Sequence, residues 1–145
     1  MQDPKMTKGE IEQLLAREFP QAYNATSGLT VDEIWYGGCR ARQGYQERLL
    51  RPGGTISGPT LMALADFGLY VAIFSALGPL TLAVTTSLNI NFLRKPAQRD
   101  LLATATLIKI GGRLVVGEVR ITSAGAQNAE DLVAHATATY SIPPR

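Results

Sequence analysis

From Thr7 to Phe19 the chain places Ile11, Leu14, Leu15 and Phe19 on one side of a 3.6-residue period, which predicts a short amphipathic helix that Pro20 ends. After the polar stretch QAYNATSG, the segment LTVDEIWYGGCRARQGYQERLL is predicted to form two strands interrupted by glycines. From Ser57 onward the pattern changes, because apolar residues occupy every face of the helical period up to Gly78-Pro79. Ser57 suits an N-cap whose hydroxyl serves its own helix, Pro59 suits the first turn, and Gly78 suits the C-cap. A helix apolar all round must be enclosed by other structure.

The next stretch, LTLAVTTSLNINF, alternates with a period of two. Leu80, Leu82, Val84, Thr86, Leu88, Ile90 and Phe92 fall on one side and Thr81, Ala83, Thr85, Ser87, Asn89 and Asn91 on the other, predicting a long strand with one buried face. Two further strands, DLLATATLIKI and RLVVGEVRITS, meet at Gly111-Gly112, a dipeptide suited to the positive φ angles of a tight antiparallel hairpin. A last strand, DLVAHATATYSI, stops at Pro143-Pro144. Five to six strands and one wholly apolar helix give an α+β fold in which a curved antiparallel sheet wraps around a long central helix. The polar outer face and the open edges of such a sheet invite a second subunit.

With 145 residues, 46% of them hydrophobic, the chain can bury one core of ordinary size, so residues 1–145 are read as a single domain, with 1–20 a tail and short helix. The net charge of +2 is spread among acids rather than gathered into runs, which argues against a nucleic-acid partner. The run from Thr60 to Leu77 could pass for a membrane span, but Asp66 near its middle would cost about 2.5 to 3.5 kcal/mol there, so a buried helix is expected and no membrane partner. Cys39 is the only cysteine, which excludes an internal disulfide and a cysteine-based metal cluster; it is read as a small buried residue. No secretory signal pattern opens the chain, and a cytoplasmic location is expected. His135 stands alone without a Cys/His/acid set at ligand spacing, and no metal or cofactor is called for.

The remaining chemistry lies in a few short segments. RPGGTISGP (Arg51 to Pro59) leads into LMALAD (Leu61 to Asp66), NFLRKP spans Asn91 to Pro96 and GGRL spans Gly111 to Leu114. Their order and spacing resemble the PaaI-like acyl-CoA thioesterases of the hotdog fold over roughly Leu49 to Tyr140. Members of that family show an Asn-Pro-x-Gly-x-x-His-Gly-Gly loop, a Leu-Ala-Asp in the following helix, a Phe-Leu-Arg-Pro at the end of a long strand and a Gly-Arg hairpin.

The resemblance implies hydrolysis of an acyl-CoA by a homodimer or a tetramer of dimers. It places Asp66 at the family's acidic catalytic position, as nucleophile or as general base on water, and Gly58 where a backbone N–H binds the thioester carbonyl oxygen. Thr85 falls near a Ser/Thr that orients the water from the partner subunit. Independently of the family, Gly58 opens a helix, where unpaired N–H groups and the dipole favour a developing oxyanion. Asp66 read by itself is either a carboxylate satisfied by backbone donors or a functional group, because a lone acid in an enclosed helix is costly. Ser57 can cap its helix or meet a ligand, and Gly54 can form a plain turn or let a ligand approach the backbone. Arg94, Lys95, Arg99 and Arg113 are surface charge or contacts to the CoA phosphates.

Two departures matter: the family's asparagine falls at Arg51 and its histidine at Ser57, while its second glycine falls at Pro59. They motivate an alternative reading, a non-catalytic hotdog module that binds acyl-CoA or a related apolar ligand. A hotdog dehydratase fits less well, since its His-bearing strand and acid-bearing helix are not evident. Gly58 and Asp66, eight residues apart, would lie about 12 Å apart along a helix axis, so a working site is expected to join Gly58 of one chain to Asp66 of another.

Overall fold

The computed structural model describes residues 2–128 and 130–144; Met1 of the tail, Ala129 in the loop before the last strand, and Arg145 lie outside them. The first helix, α1 (Lys8–Glu18), starts where Thr7 and Glu10 form a reciprocal capping box, with Glu10 N–H donating to Thr7 Oγ1 at 3.2 Å and Thr7 N–H to Glu10 Oε1 at 2.8 Å. It ends at Phe19, before Pro20, and buries Ile11, Leu14 and Leu15 in the common core.

Strands β1 (Leu29–Trp35) and β2 (Gly38–Gln43) pair antiparallel, and a 3-10 turn at Glu47–Leu49 leads to a small ladder, β3 (Leu50–Arg51) with β4 (Thr55–Ile56). Helix α2 then runs from Gly58 to Leu77, followed by β5 (Val84–Phe92), β6 (Leu101–Ile110), β7 (Leu114–Ser123) and β8 (Ala134–Ser141). The main sheet has the order β1-β2-β6-β7-β8-β5, with every neighbouring pair antiparallel. It covers α2, as the all-round apolar pattern requires. Inward-facing Ala103, Ala105, Ala134, Ala136 and Ala138 are buried and small, which lets the sheet lie close to the large side chains Leu64, Leu69, Ile73 and Phe74 of the helix.

By length and composition α2 could cross a membrane, yet 67% of its most apolar window is buried inside this domain. Its core role explains the hydropathy. Ser75, the one polar side chain buried on it, is satisfied: its hydroxyl donates to Ala72 C=O at 2.6 Å and accepts from Gly37 N–H at 3.0 Å. The helix stops as expected at Gly78, which takes φ 90° and donates to Phe74 C=O at 3.0 Å.

Three local expectations fail. Ser57 occupies the N-cap position of α2, but its hydroxyl meets Thr60 Oγ1 at 2.9 Å and caps no backbone N–H; its carbonyl accepts the first helical bonds instead, from Thr60 and Leu61. The β6–β7 hairpin forms, but neither Gly111 nor Gly112 has a positive φ. Glycine is needed at 111 for space, because a Cβ there would lie 2.7 Å from Leu114 O, to whose carbonyl Gly111 N–H donates at 2.9 Å.

The strand expected over 80–92 begins only at Val84, since Leu80, Thr81 and Ala83 donate locally in turns, and it does not bury one face. It is one of the sheet's two edge strands, and Leu82, Val84 and Phe92 stay 75%, 56% and 53% exposed because nothing among the described residues covers them. Its alternation also breaks. Thr85 pairs with Tyr140 and Ser87 with Thr139, so Thr86 is an extra residue, a β-bulge, whose hydroxyl donates to Thr139 C=O at 3.1 Å. The bulge shifts the phase by one and puts Thr85 on the face of Leu88, Ile90 and Phe92, opposite to where strict alternation places it.

Candidate functional site

Asp66 sits in the third turn of α2, half-buried, facing a cavity of about 590 Å³. Its Oδ1 accepts from the Thr85 hydroxyl at 2.6 Å. Both groups belong to one chain: the bulge at Thr86 sets Thr85 opposite Tyr140, on the face of the sheet where its hydroxyl meets Asp66. A third group joins them. The Tyr140 hydroxyl lies against the same Oδ1 and 2.8 Å from the Asp66 main-chain oxygen, with its single proton available to either. Burial, and then the neighbouring Asp66 carboxylate, push the Tyr140 phenol well above its ordinary range, so it remains a donor.

Sequence reasoning missed Tyr140. Its signal is the pattern of β8: the inward positions before it are Ala134, Ala136 and Ala138, and Tyr140 is the one large side chain in that series, carrying a polar tip that burial obliges to find a partner.

The rest of this cavity is mostly apolar. Ala63, Phe67 and Tyr70 of α2, Ala83 just before β5 and Val84 at its start, and Phe19, Ala22 and Leu29 from the N-terminal region line it. Phe19 packs edge-on against Tyr70 with ring centroids 5.8 Å apart, and Tyr23 stacks on Phe67 at 6.2 Å, so the segment after α1 fixes two of the cavity's aromatic walls. Tyr70 donates to Thr81 C=O at 2.7 Å, which occupies its polar end and leaves the ring to the cavity. No motif in the N-terminal segment points to this part in the site.

Gly58 lies in a second cavity of about 420 Å³, at the start of α2, together with Arg51, Arg94 and Lys95 and the apolar Ile56, Leu61, Phe92 and Leu93. Glycine lets the Phe92 ring lie over the helix start, since a Cβ at 58 would come within 3.2 Å of Phe92 Cζ. No ion pair involves Arg51, Arg94 or Lys95 among the described residues, so three cations border one opening. Arg51 was noted from sequence only as a departure from the family loop.

The other expected ligand contacts are not brought to either cavity. Ser57 turns to Thr60, and Gly54 forms the β3–β4 turn at φ 78° with its carbonyl accepting from Gln98 at 2.8 Å. Arg113 sits in the β6–β7 hairpin, where its carbonyl accepts from Ile142 N–H at 2.7 Å, and Arg99 reaches Ala124 C=O at 3.4 Å. Within one chain Gly58 and Asp66 therefore face different cavities. His135 pairs with Glu118 at 3.2 Å, and no group of three His, Cys, Asp or Glu residues is placed to hold a metal ion among the described residues.

Comparison with known proteins fits this geometry. The family profile of the thioesterase superfamily matches residues 53–130, more than half of the chain. A Halobacterium salinarum protein provisionally described as an esterase is 34% identical over 109 residues, covering 71% of this chain and 72% of the relative. Among solved structures, a Silicibacter protein provisionally described as a thioesterase is 39% identical, covers 98% of this chain and 95% of its own, and superposes with a TM-score of 0.83. A point mutant of the phenylacetic acid degradation protein PaaI of Thermus thermophilus is 26% identical over 80% of this chain and 94% of its own, with a TM-score of 0.69. The sheet wrapped on one helix is thus the hotdog fold. Asp66, Gly58 and Thr85 lie inside the matched span, whereas Arg51, Tyr140 and the N-terminal wall lie outside it.

Proposed function

The chain belongs to the thioesterase superfamily, and from that footing we propose that it hydrolyses acyl-CoA thioesters with Asp66 as general base, at a site shared between two subunits. The observation that carries this reading is the state of the Asp66 carboxylate. It stands at the wall of a largely apolar cavity with Oδ1 held by Thr85, and Oδ2 makes no hydrogen bond to protein among the described residues. A carboxylate so placed can take a proton from water beside a bound thioester.

In the proposed cycle Oδ2 takes the proton as the water oxygen bonds to the thioester carbon. The oxyanion that forms is held at a helix start, by the Gly58 N–H. Collapse breaks the C–S bond, and the proton passes from Asp66 to the departing thiolate, leaving acid, thiol and the original carboxylate. The larger cavity takes the acyl group. Arg51, Arg94 and Lys95 suit an anionic ligand portion such as the phosphates of CoA.

The exposed edge strand supports sharing the site. Thr85 and Phe92 lie near opposite ends of β5, so two-fold antiparallel pairing of this edge with a second copy sets the Asp66 cavity of one subunit against the Gly58 cavity of the other. It also covers Leu82, Val84 and Phe92, which a lone chain leaves in water.

The test is free-thiol release from a panel of acyl-CoA thioesters by the wild-type protein and Asp66→Asn. The substitution is expected to keep the far-UV spectrum and melting temperature and to lower turnover by about 100-fold or more. Near-normal turnover in Asp66→Asn overturns the mechanism. Tight CoA-ester binding by the wild-type protein without any thiol release favours instead the non-catalytic module, for which Arg51 and Ser57, standing in the family's asparagine and histidine positions, are the supporting observation.

A further inference from the structure

We infer that Tyr140 is a positioning residue for Asp66, fixing the direction of its carboxylate so that one oxygen faces the substrate. The inference rests on Asp66 being the base. It starts from an asymmetry: two hydroxyls converge on Oδ1, from Thr85 at 2.6 Å and from Tyr140, while Oδ2 has no protein partner among the described residues. The terminal torsion of an aspartate is broad, so a carboxylate held by nothing turns through a wide range of directions. Turning here would pull one oxygen away from both hydroxyls at once, and only a full half-turn, which exchanges equivalent oxygens, restores the contacts.

Tyr140 is the better anchor of the two. Thr85 lies on an exposed edge strand, whereas Tyr140 is 2% exposed and is paired on both sides, opposite Thr85 on β5 and Val115 on β7. Its hydroxyl also reaches the Asp66 main-chain oxygen at 2.8 Å, so one group registers the backbone and the side chain of the same residue. The phenol held protonated by burial serves as a donor throughout the working range and does not compete with Asp66 for the proton. A fixed Oδ1 leaves one basic oxygen with a set direction. Removing the hydroxyl alone acts on the chemical step and leaves substrate binding alone, since the Tyr140 ring that lines the cavity is kept and only orientation is lost.

The experiment measures kcat and KM for the wild-type protein, Tyr140→Phe, Thr85→Val, the double variant and Asp66→Asn, with circular dichroism and thermal melting on each. Tyr140→Phe removes one oxygen atom and keeps the ring. It is expected to lower kcat about tenfold to a hundredfold with KM changed less than about twofold. Because both hydroxyls hold one oxygen, the double variant is expected to lose clearly less than the product of the two single losses. An unchanged kcat in Tyr140→Phe, a loss confined to KM, or strictly multiplicative losses overturns the inference. Loss of the folded state in Tyr140→Phe also overturns it, because the hydroxyl's role would then be structural. Failure of the underlying reading is distinguishable: there Asp66→Asn itself keeps its turnover, whereas failure of positioning alone leaves Asp66→Asn inactive and Tyr140→Phe fully active.

Discussion

Cys39 is fully buried on β2 with its thiol 3.2 Å from Gly68 C=O on α2. Burial pushes the thiol from its ordinary 9.0 up to about 12. The folded protein is therefore expected to resist iodoacetamide at about pH 8, with labelling seen by mass spectrometry only after denaturant is added. The folded thiol keeps its proton where the unfolded one loses it, so its contribution to stability is whole below the unfolded value and declines as pH rises from about 9 toward 12. At the same scale the site was half legible. A single acid inside an apolar helix and a glycine at its start stand out in sequence whatever surrounds them, so Asp66 and Gly58 could be named. Thr85 was named from the family, but the alternation put it on the wrong face, because no residue pattern announces a bulge at Thr86. Tyr140 and Phe19 join the site only through β8 pairing and α1 docking, contacts that separate Asp66 from Tyr140 by 74 residues.

Elements were more legible than their edges. Periodicity located α1, α2 and the strands of the main sheet, because all but β5 bury residues that their own sequence must supply. It missed the β3–β4 ladder, two residues a side, which is too short to show a period. It also overextended β5, whose alternation prepares a surface that the single chain leaves open. The strands are joined by a polar link that the sequence does not display. Arg42 on β2 donates to Asp32 of β1 at 3.0 Å and to Asp100, at the entrance to β6, also at 3.0 Å, while Asp100 accepts Tyr45 N–H at 2.7 Å. The Tyr45 N–H first, and Arg42 after it, hold the Asp100 carboxyl below its ordinary 3.8. This contribution is present above that value and is lost as pH falls through the lowered folded one. Asp100→Asn is therefore expected to reduce unfolding free energy near neutral pH by about 1 kcal/mol or less, since the pair is partly solvated and screened. In urea titrations the difference from wild type should shrink as the pH is lowered below the ordinary 3.8 and through the lower folded value. An equal deficit at both pH values counts against the charged link.

For the whole molecule, the two cavities pose a division of labour that one chain cannot resolve. The first holds the carboxylate and an apolar space; the second holds the helix start and three cations. They sit at opposite ends of one exposed edge strand, and a two-fold axis across that strand would bring unlike cavities together twice. This makes a demand that a self-sufficient subunit does not. If each working site takes Asp66 from one chain and Gly58 from the other, two differently damaged chains can repair one another. Asp66→Asn damages the first half-site, and Gly58→Val fills the second, where even a Cβ would crowd Phe92 at 3.2 Å. Each pure variant should be nearly inactive. When the two are unfolded together and refolded at equal concentrations, half of the dimers are mixed, and each carries one doubly damaged and one intact site, giving about a quarter of wild-type turnover. Size-exclusion chromatography with light scattering checks that the refolded species is a dimer or a larger assembly. Sites built within single subunits would leave the mixture as inactive as its parts, and that result would remove the shared site while leaving Asp66 as the base.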